Sequence, residues 1–138
     1  MKRITAMVLA AVANFAMAGT SFAQSNGVRA TVPFEFNVGD KLLPPGTYTI
    51  QQGSSHVIVI RSQNKPISTL SIVHQSDHRA ANSGKLLFHR YGDRYFLSEI
   101  LCDRANLDVQ VPVSRAETRT RLQQAALSSS SQVYVAAR

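Results

Sequence analysis

The sequence predicts a mostly β protein, a single antiparallel β-sandwich or partly open barrel of about seven strands with one C-terminal surface helix. Three observations lead there. Apolar and polar residues alternate with a period of two over residues 28–38. Short β-branched and aromatic runs then recur between turns built from Gly, Pro and Asn. Only after Ser114 does the pattern change, to a stretch rich in Ala, Gln, Arg and Leu.

The chain opens on a leader. Lys2 and Arg3 give a positive start, residues 4–18 are mostly apolar, and the small residues Ser21 and Ala23 stand where a signal peptidase accepts them. Residues 1–23 are therefore expected to be a cleaved signal peptide. A spanning helix needs roughly 20 predominantly apolar residues, and this run gives way to Gly19, Thr20 and Ser21 first. No later segment is apolar for long enough, so no transmembrane segment is expected after cleavage. The predicted location is outside the cytoplasm, periplasmic or extracellular.

Residues 24–138 are read as one domain, which is all that 115 residues allow. They carry 13 basic and 8 acidic side chains, a balance of +5. The charge is dispersed apart from Arg115, Arg119 and Arg121, and fits attraction to anionic envelope surfaces better than nucleic-acid binding. Cys102 is the only cysteine, so no internal disulfide can form.

Within the domain, residues 28–38 put Val28, Ala30, Val32, Phe34, Phe36 and Val38 on one face of a strand. Pro33 cannot donate to a ladder, so an edge or a bulge is expected there. Gly39 and Asp40 turn the chain, and residues 43–46 make a rigid Leu-Pro-Pro-Gly turn. Strands are expected over 47–52, 56–61 and 67–73, the last with Leu70 and Ile72 on one face. Residues 75–85 read as an exposed loop. Residues 86–91 and 94–102 read as a hairpin about Gly92 and Asp93. Its second arm would carry Phe96, Ile100 and Cys102 on one face and Tyr95, Leu97, Glu99 and Leu101 on the other. Ser114 with Glu117 is a capping-box signature that opens a helix over 114–127, with a thin apolar stripe of Ala116, Leu122, Ala126 and Leu127. A serine linker, 128–131, leads to a terminal strand, 132–137, expected to pair into the sheet.

The stretch 32–50, VPFEFNVGDKLLPPGTYTI, resembles the opening of a family of small secreted β proteins from environmental bacteria with no assigned activity. Val32, Pro33, Phe34, Phe36, Val38 and Gly39 match its first segment, and Leu43, Pro44, Gly46 and Tyr48 its second. The resemblance implies a secreted β domain and brings no catalytic residue. The Pro-Gly-x-Tyr turn is also similar to that of transthyretin-like and immunoglobulin-like accessory modules, which implies that Tyr48 packs on the core.

No group of residues in the sequence announces a reaction. His74, Asp77 and His78 lie close together, and with His89 or His56 they would suit a metal such as Zn²⁺. The spacing belongs to no established zinc motif, so His74, His78 and His89 stand as an alternative metal or ligand site. Cys102 reads as a small apolar residue rather than a nucleophile. No serine lies in a Gly-x-Ser-x-Gly elbow, and Glu35, Glu99 and Asp103 pair only if the fold gathers them. Tyr48, Phe88, Tyr91, Tyr95 and Phe96 are expected in the core rather than on a binding face. The arginines of the helix are expected to be solvated. There is no phosphate loop or dinucleotide fingerprint, and no cofactor is expected. The expectation is a non-enzymatic, envelope-associated module that contacts a macromolecule or glycan.

Overall fold

The computed structural model describes residues 27–79, 84–125 and 131–138. The signal-peptide reading of residues 1–23 lies outside them, as do 126–127 at the end of the expected helix and 128–130 of the linker.

Eleven strands among the described residues form one sheet: β1 (Val28–Val32), β2 (Phe36–Val38), β3 (Lys41–Leu43), β4 (Gly46–Ser54), β5 (Val57–Ser62), β6 (Ser68–Ile72), β7 (His74–Gln75), β8 (Gly84–Tyr91), β9 (Arg94–Cys102), β10 (Leu107–Gln110) and β11 (Ser131–Ala137). The helix α1 (Arg115–Ala125) precedes β11.

The sheet is nearly closed like a barrel. Antiparallel neighbours run β9, β8, β11, β1, β4, β5, β6. The chain then passes from β6 through Val73 into β7, which pairs with β10, and β10 returns to β9. This corrects the expected strand count of about seven, and two facing sheets are not what the pairing builds. The surplus strands are short ones of two to four residues, too brief to show a period. Pro33 also splits the expected first strand into β1 and β2, because it has no N–H to give to a ladder. Past that break alternation stops, and all three residues of β2 are buried.

Turns follow their residue types. Gly39 and Gly92 have φ near +60°, the left-handed region that glycine enters without a side-chain penalty. Tyr48 is buried, and its O–H donates to the Pro44 carbonyl, tying the Pro-Gly turn to the barrel wall.

The interior is filled by Val28, Tyr48, Ile58, Phe88, Leu97 and Ile100 among others. Phe36 meets both Tyr48 and Phe88 edge to face, at 5.2 and 5.4 Å between ring centroids. Such pairs add to stability beyond the area they bury. Cys102 lies in this core as expected of an apolar side chain. Leu70 and Ile72, in contrast, are 69% and 65% exposed. They project outward from β6, beside an open groove between that strand and residues 111–114. Lys41 Nζ donates to the Ser68 carbonyl on the same edge, a charge placed against further strand pairing.

The hairpin of β8 and β9 departs from simple alternation at one point. Leu87 pairs with Glu99 and Phe88 with Leu97, so Ser98 is an extra residue opposite no partner. This β-bulge shifts the parity of the strand. Leu97, Ile100 and Cys102 face the core together, not Phe96, Ile100 and Cys102. Phe96 packs instead against Tyr91, 5.9 Å away, with Arg94 over its ring.

Candidate functional site

The bulge builds the site. A residue inserted into a strand re-aims its neighbours, and here it leaves Ser98 next to Glu99 on a pocket of about 470 Å³. The pocket lies on the wall formed by β10, β9, β8 and β11. Cross-strand register sets Gln110 beside Glu99, Glu99 beside Leu87, and Leu87 beside Tyr134. A second row sets Gln132 beside His89. His78 and Arg79, from the segment after β7, complete the lining with Lys85.

Two carboxylates anchor two histidines there. Glu99 is buried, and His78 Nδ1 lies 3.4 Å from its Oε1. Glu117, on the first turn of α1, is equally buried, and its Oε1 lies 2.8 Å from His89 Nδ1. Tyr91 also donates its O–H to Glu117 Oε1, at 3.3 Å. On the other side of the His89 ring, Nε2 lies 3.2 Å from Ser98 Oγ. An ionised carboxylate only accepts hydrogen bonds, so Nδ1 carries the proton toward Glu117. In the tautomer that carries its proton on Nδ1 alone, Nε2 accepts from Ser98 Oγ. Burial and the Glu117 charge both push the Tyr91 hydroxyl above its ordinary value, so it remains a donor. Among the described residues every buried side-chain polar atom has a partner.

α1 reaches this position because of its polar residues. Ser114 Oγ accepts from the Glu117 N–H at 3.1 Å, as the capping signature implies, while Asp40 Oδ1 accepts from the Ala116 N–H at 3.1 Å. The Glu117 side chain, which a capping box would fold back on the helix, is spent on His89 instead. The expected apolar stripe is not what docks the helix. Leu122 is 67% exposed, and the buried residues of α1 are Glu117 and Thr120. Thr120 Oγ1 accepts from Arg94 at 2.9 Å.

Of the three histidines in the alternative site, His78 and His89 line the pocket while His74 is an exposed residue of β7. Among the described residues no three His, Cys, Asp or Glu side chains gather so as to hold a metal ion. Glu35 is exposed on the turn after Pro33, and Asp103 begins a 3₁₀ turn, so neither joins Glu99 in this pocket. Tyr48 and Phe88 are core residues, Tyr95 stacks on Phe34 at 3.9 Å, and Tyr91 and Phe96 pair on the face near α1. Among the described residues the aromatic side chain left in the open is Tyr134, read from the sequence only as part of the terminal strand, 60% exposed with Lys85 Nζ 5.5 Å from its ring centre. Ser98, Glu117 and Gln132 were missed as well. One signal was there to find. Leu97 and Ile100 are both strongly apolar at odd spacing, which a regular half-buried strand does not produce.

Comparison with known protein families, curated proteins and solved structures found no match. No helix among the described residues is long and apolar enough to cross a membrane.

Proposed function

We propose that this chain is an exported binding module, working in the periplasm or outside the cell, whose ligand is an acidic glycan seated in the pocket beside Tyr134. The observation that carries the reading is the convergence of hydrogen-bonding side chains on one recess next to an exposed aromatic ring. Gln110, Gln132 and Glu99 offer donors and acceptors suited to hydroxyl groups, and Tyr134 offers a flat apolar face for a sugar ring. Arg79 and Lys85 add positive charge to the same wall, which favours a carboxylated sugar over a neutral one. The net charge of residues 24–138 has the same sign.

Calorimetric titration of the mature chain with oligogalacturonate and with a neutral cello-oligosaccharide tests this. Saturable binding of the acidic ligand is expected, reduced about tenfold by Tyr134→Ala, which corresponds to about 1.4 kcal/mol. Absence of heat with both ligands, or equal binding by Tyr134→Ala, would overturn the reading.

A further inference from the structure

We propose that Ser98, His89 and Glu117 form a nucleophilic relay that hydrolyses short-chain carboxylic esters of polar alcohols. The proposal takes the pocket as a ligand site and so rests on the binding reading, but it adds a reaction to it. Its basis is the order of contacts, Ser98 Oγ to His89 Nε2 at 3.2 Å and His89 Nδ1 to Glu117 Oε1 at 2.8 Å. That is the connectivity by which a general base, oriented by a buried carboxylate, activates a hydroxyl.

Anchoring α1 accounts for only half of this arrangement. For that purpose Glu117 need only accept from His89 and Tyr91. The Ser98 contact lies at the opposite nitrogen of the ring, facing away from the helix, and both Ser98 and His89 line the pocket. Ser98 is 4% exposed, so what touches it enters through that recess. Its position on a bulge is a further sign, because such irregularities re-aim side chains beside active sites. The wall is polar, which suits a sugar or other polyol as the alcohol half of the ester, and the burial of Ser98 favours a short acyl half at the nucleophile.

In the reaction, Ser98 Oγ attacks the carbonyl carbon while its proton passes to His89 Nε2. Collapse of the tetrahedral adduct breaks the C–O bond to the alcohol, which leaves with that proton. Water then attacks the acyl-Ser98 carbonyl, giving a proton to Nε2. The bond to Oγ breaks, Ser98 takes the proton back, and the carboxylic acid departs. The side-chain N–H groups of Arg79, Lys85, Gln110 and Gln132 line the same pocket and are the donors from which the oxygen that gains charge would draw its hydrogen bond. Glu117 is a positioning residue that holds the Nδ1–H tautomer.

The test uses the wild-type mature chain with a fluorophosphonate probe and with 4-nitrophenyl acetate. One covalent adduct is expected, mapped to Ser98 by peptide mass spectrometry, together with ester hydrolysis above the buffer rate. Ser98→Ala should remove both, and His89→Gln should lower the rate at least about 100-fold. Glu117→Gln should lower kcat with KM unchanged, a split that mere loosening of the helix would not give. No adduct on folded wild type, an adduct elsewhere, or hydrolysis surviving in Ser98→Ala overturns the proposal. Because labelling is read on the unmutated chain, a variant that fails to fold does not spare it. A chain that binds oligogalacturonate but takes no label keeps the binding reading and loses this one, and labelling without glycan binding does the reverse.

Discussion

Tyr91 shows how a single side chain joins the barrel to the helix. Its hydroxyl is buried beside Glu117, and both desolvation and that negative charge raise its pKa from 10.0, with Arg121 opposing them to a smaller extent. Tyr48, buried with its O–H on the Pro44 carbonyl, is raised by desolvation alone. A group whose folded value lies above its unfolded one binds its proton more tightly in the native state. The resulting stability is complete below about pH 10 and is lost as pH rises through the folded values. Urea midpoints measured from about pH 8 upward should therefore stay level and then fall above about pH 10. Tyr91→Phe, which has no proton to lose, should show a shallower fall, and an identical pH profile for that variant would contradict the placement. At this scale the sequence was a partial guide. Tyr48 was legible because strand aromatics default to the core and because its Pro-Gly-x-Tyr turn resembles one in which the tyrosine packs inward. Glu117 was legible as a helix-start residue but not as the partner of His89, since a contact spanning 28 residues leaves no periodic trace.

Elements whose period survives along their whole length could be read from the sequence down to their faces, and where the period changes only the strand itself could be read. The runs that became β1, β4, β5 and β8 kept their alternation or their β-branched density, and each formed a strand. β9 also formed over the expected residues 94–102, but its faces were misassigned because the extra residue at Ser98 exchanges them halfway along. The helix was expected from its cap, and the cap is present, but its means of attachment reverses the usual order. An amphipathic helix docks an apolar stripe, whereas α1 docks Glu117 and Thr120. Hydrogen bonds contribute about 0.5–1.5 kcal/mol each, or roughly 1.5–3 when charged, so α1 is attached by a few kcal/mol at most. It should open before the barrel does. Ser114→Ala removes the acceptor for the Glu117 N–H and is expected to cost about 1 kcal/mol. Hydrogen exchange should then show protection falling through α1 while the amides of β8 facing β9 keep theirs. A uniform loss across barrel and helix would mean that α1 is part of the cooperative core.

Closure of the whole sheet depends on the last strand made. β11 runs antiparallel to β8 over seven register pairs, from Ser131 opposite Arg90 to Ala137 opposite Gly84. On its other side it meets β1, with Ala30 opposite Ala137 and reciprocal backbone bonds between Arg29 and Arg138 at 2.7 and 2.8 Å. The first and last described strands are thus neighbours, and the expectation that the C-terminal segment pairs into the sheet is met at its most demanding position. Its side chains contribute modestly, since Val133 and Val135 are only half-buried and Ala137 is small. The backbone matters more. Without β11, both β8 and β1 present unpaired edges. Even at about 0.5 kcal/mol per lost bond the seven pairs remove several kcal/mol from a total stability of about 5–15 kcal/mol. A chain ending at residue 130 should therefore lose its cooperative thermal transition and aggregate through the two freed edges. Supplying residues 131–138 as a synthetic peptide should restore the transition, because the gap it fills is bounded by strands of matched register. A truncated chain that still melts cooperatively within a few degrees of the full-length protein would show that β4, β5 and β9 hold the sheet together without a closed circuit.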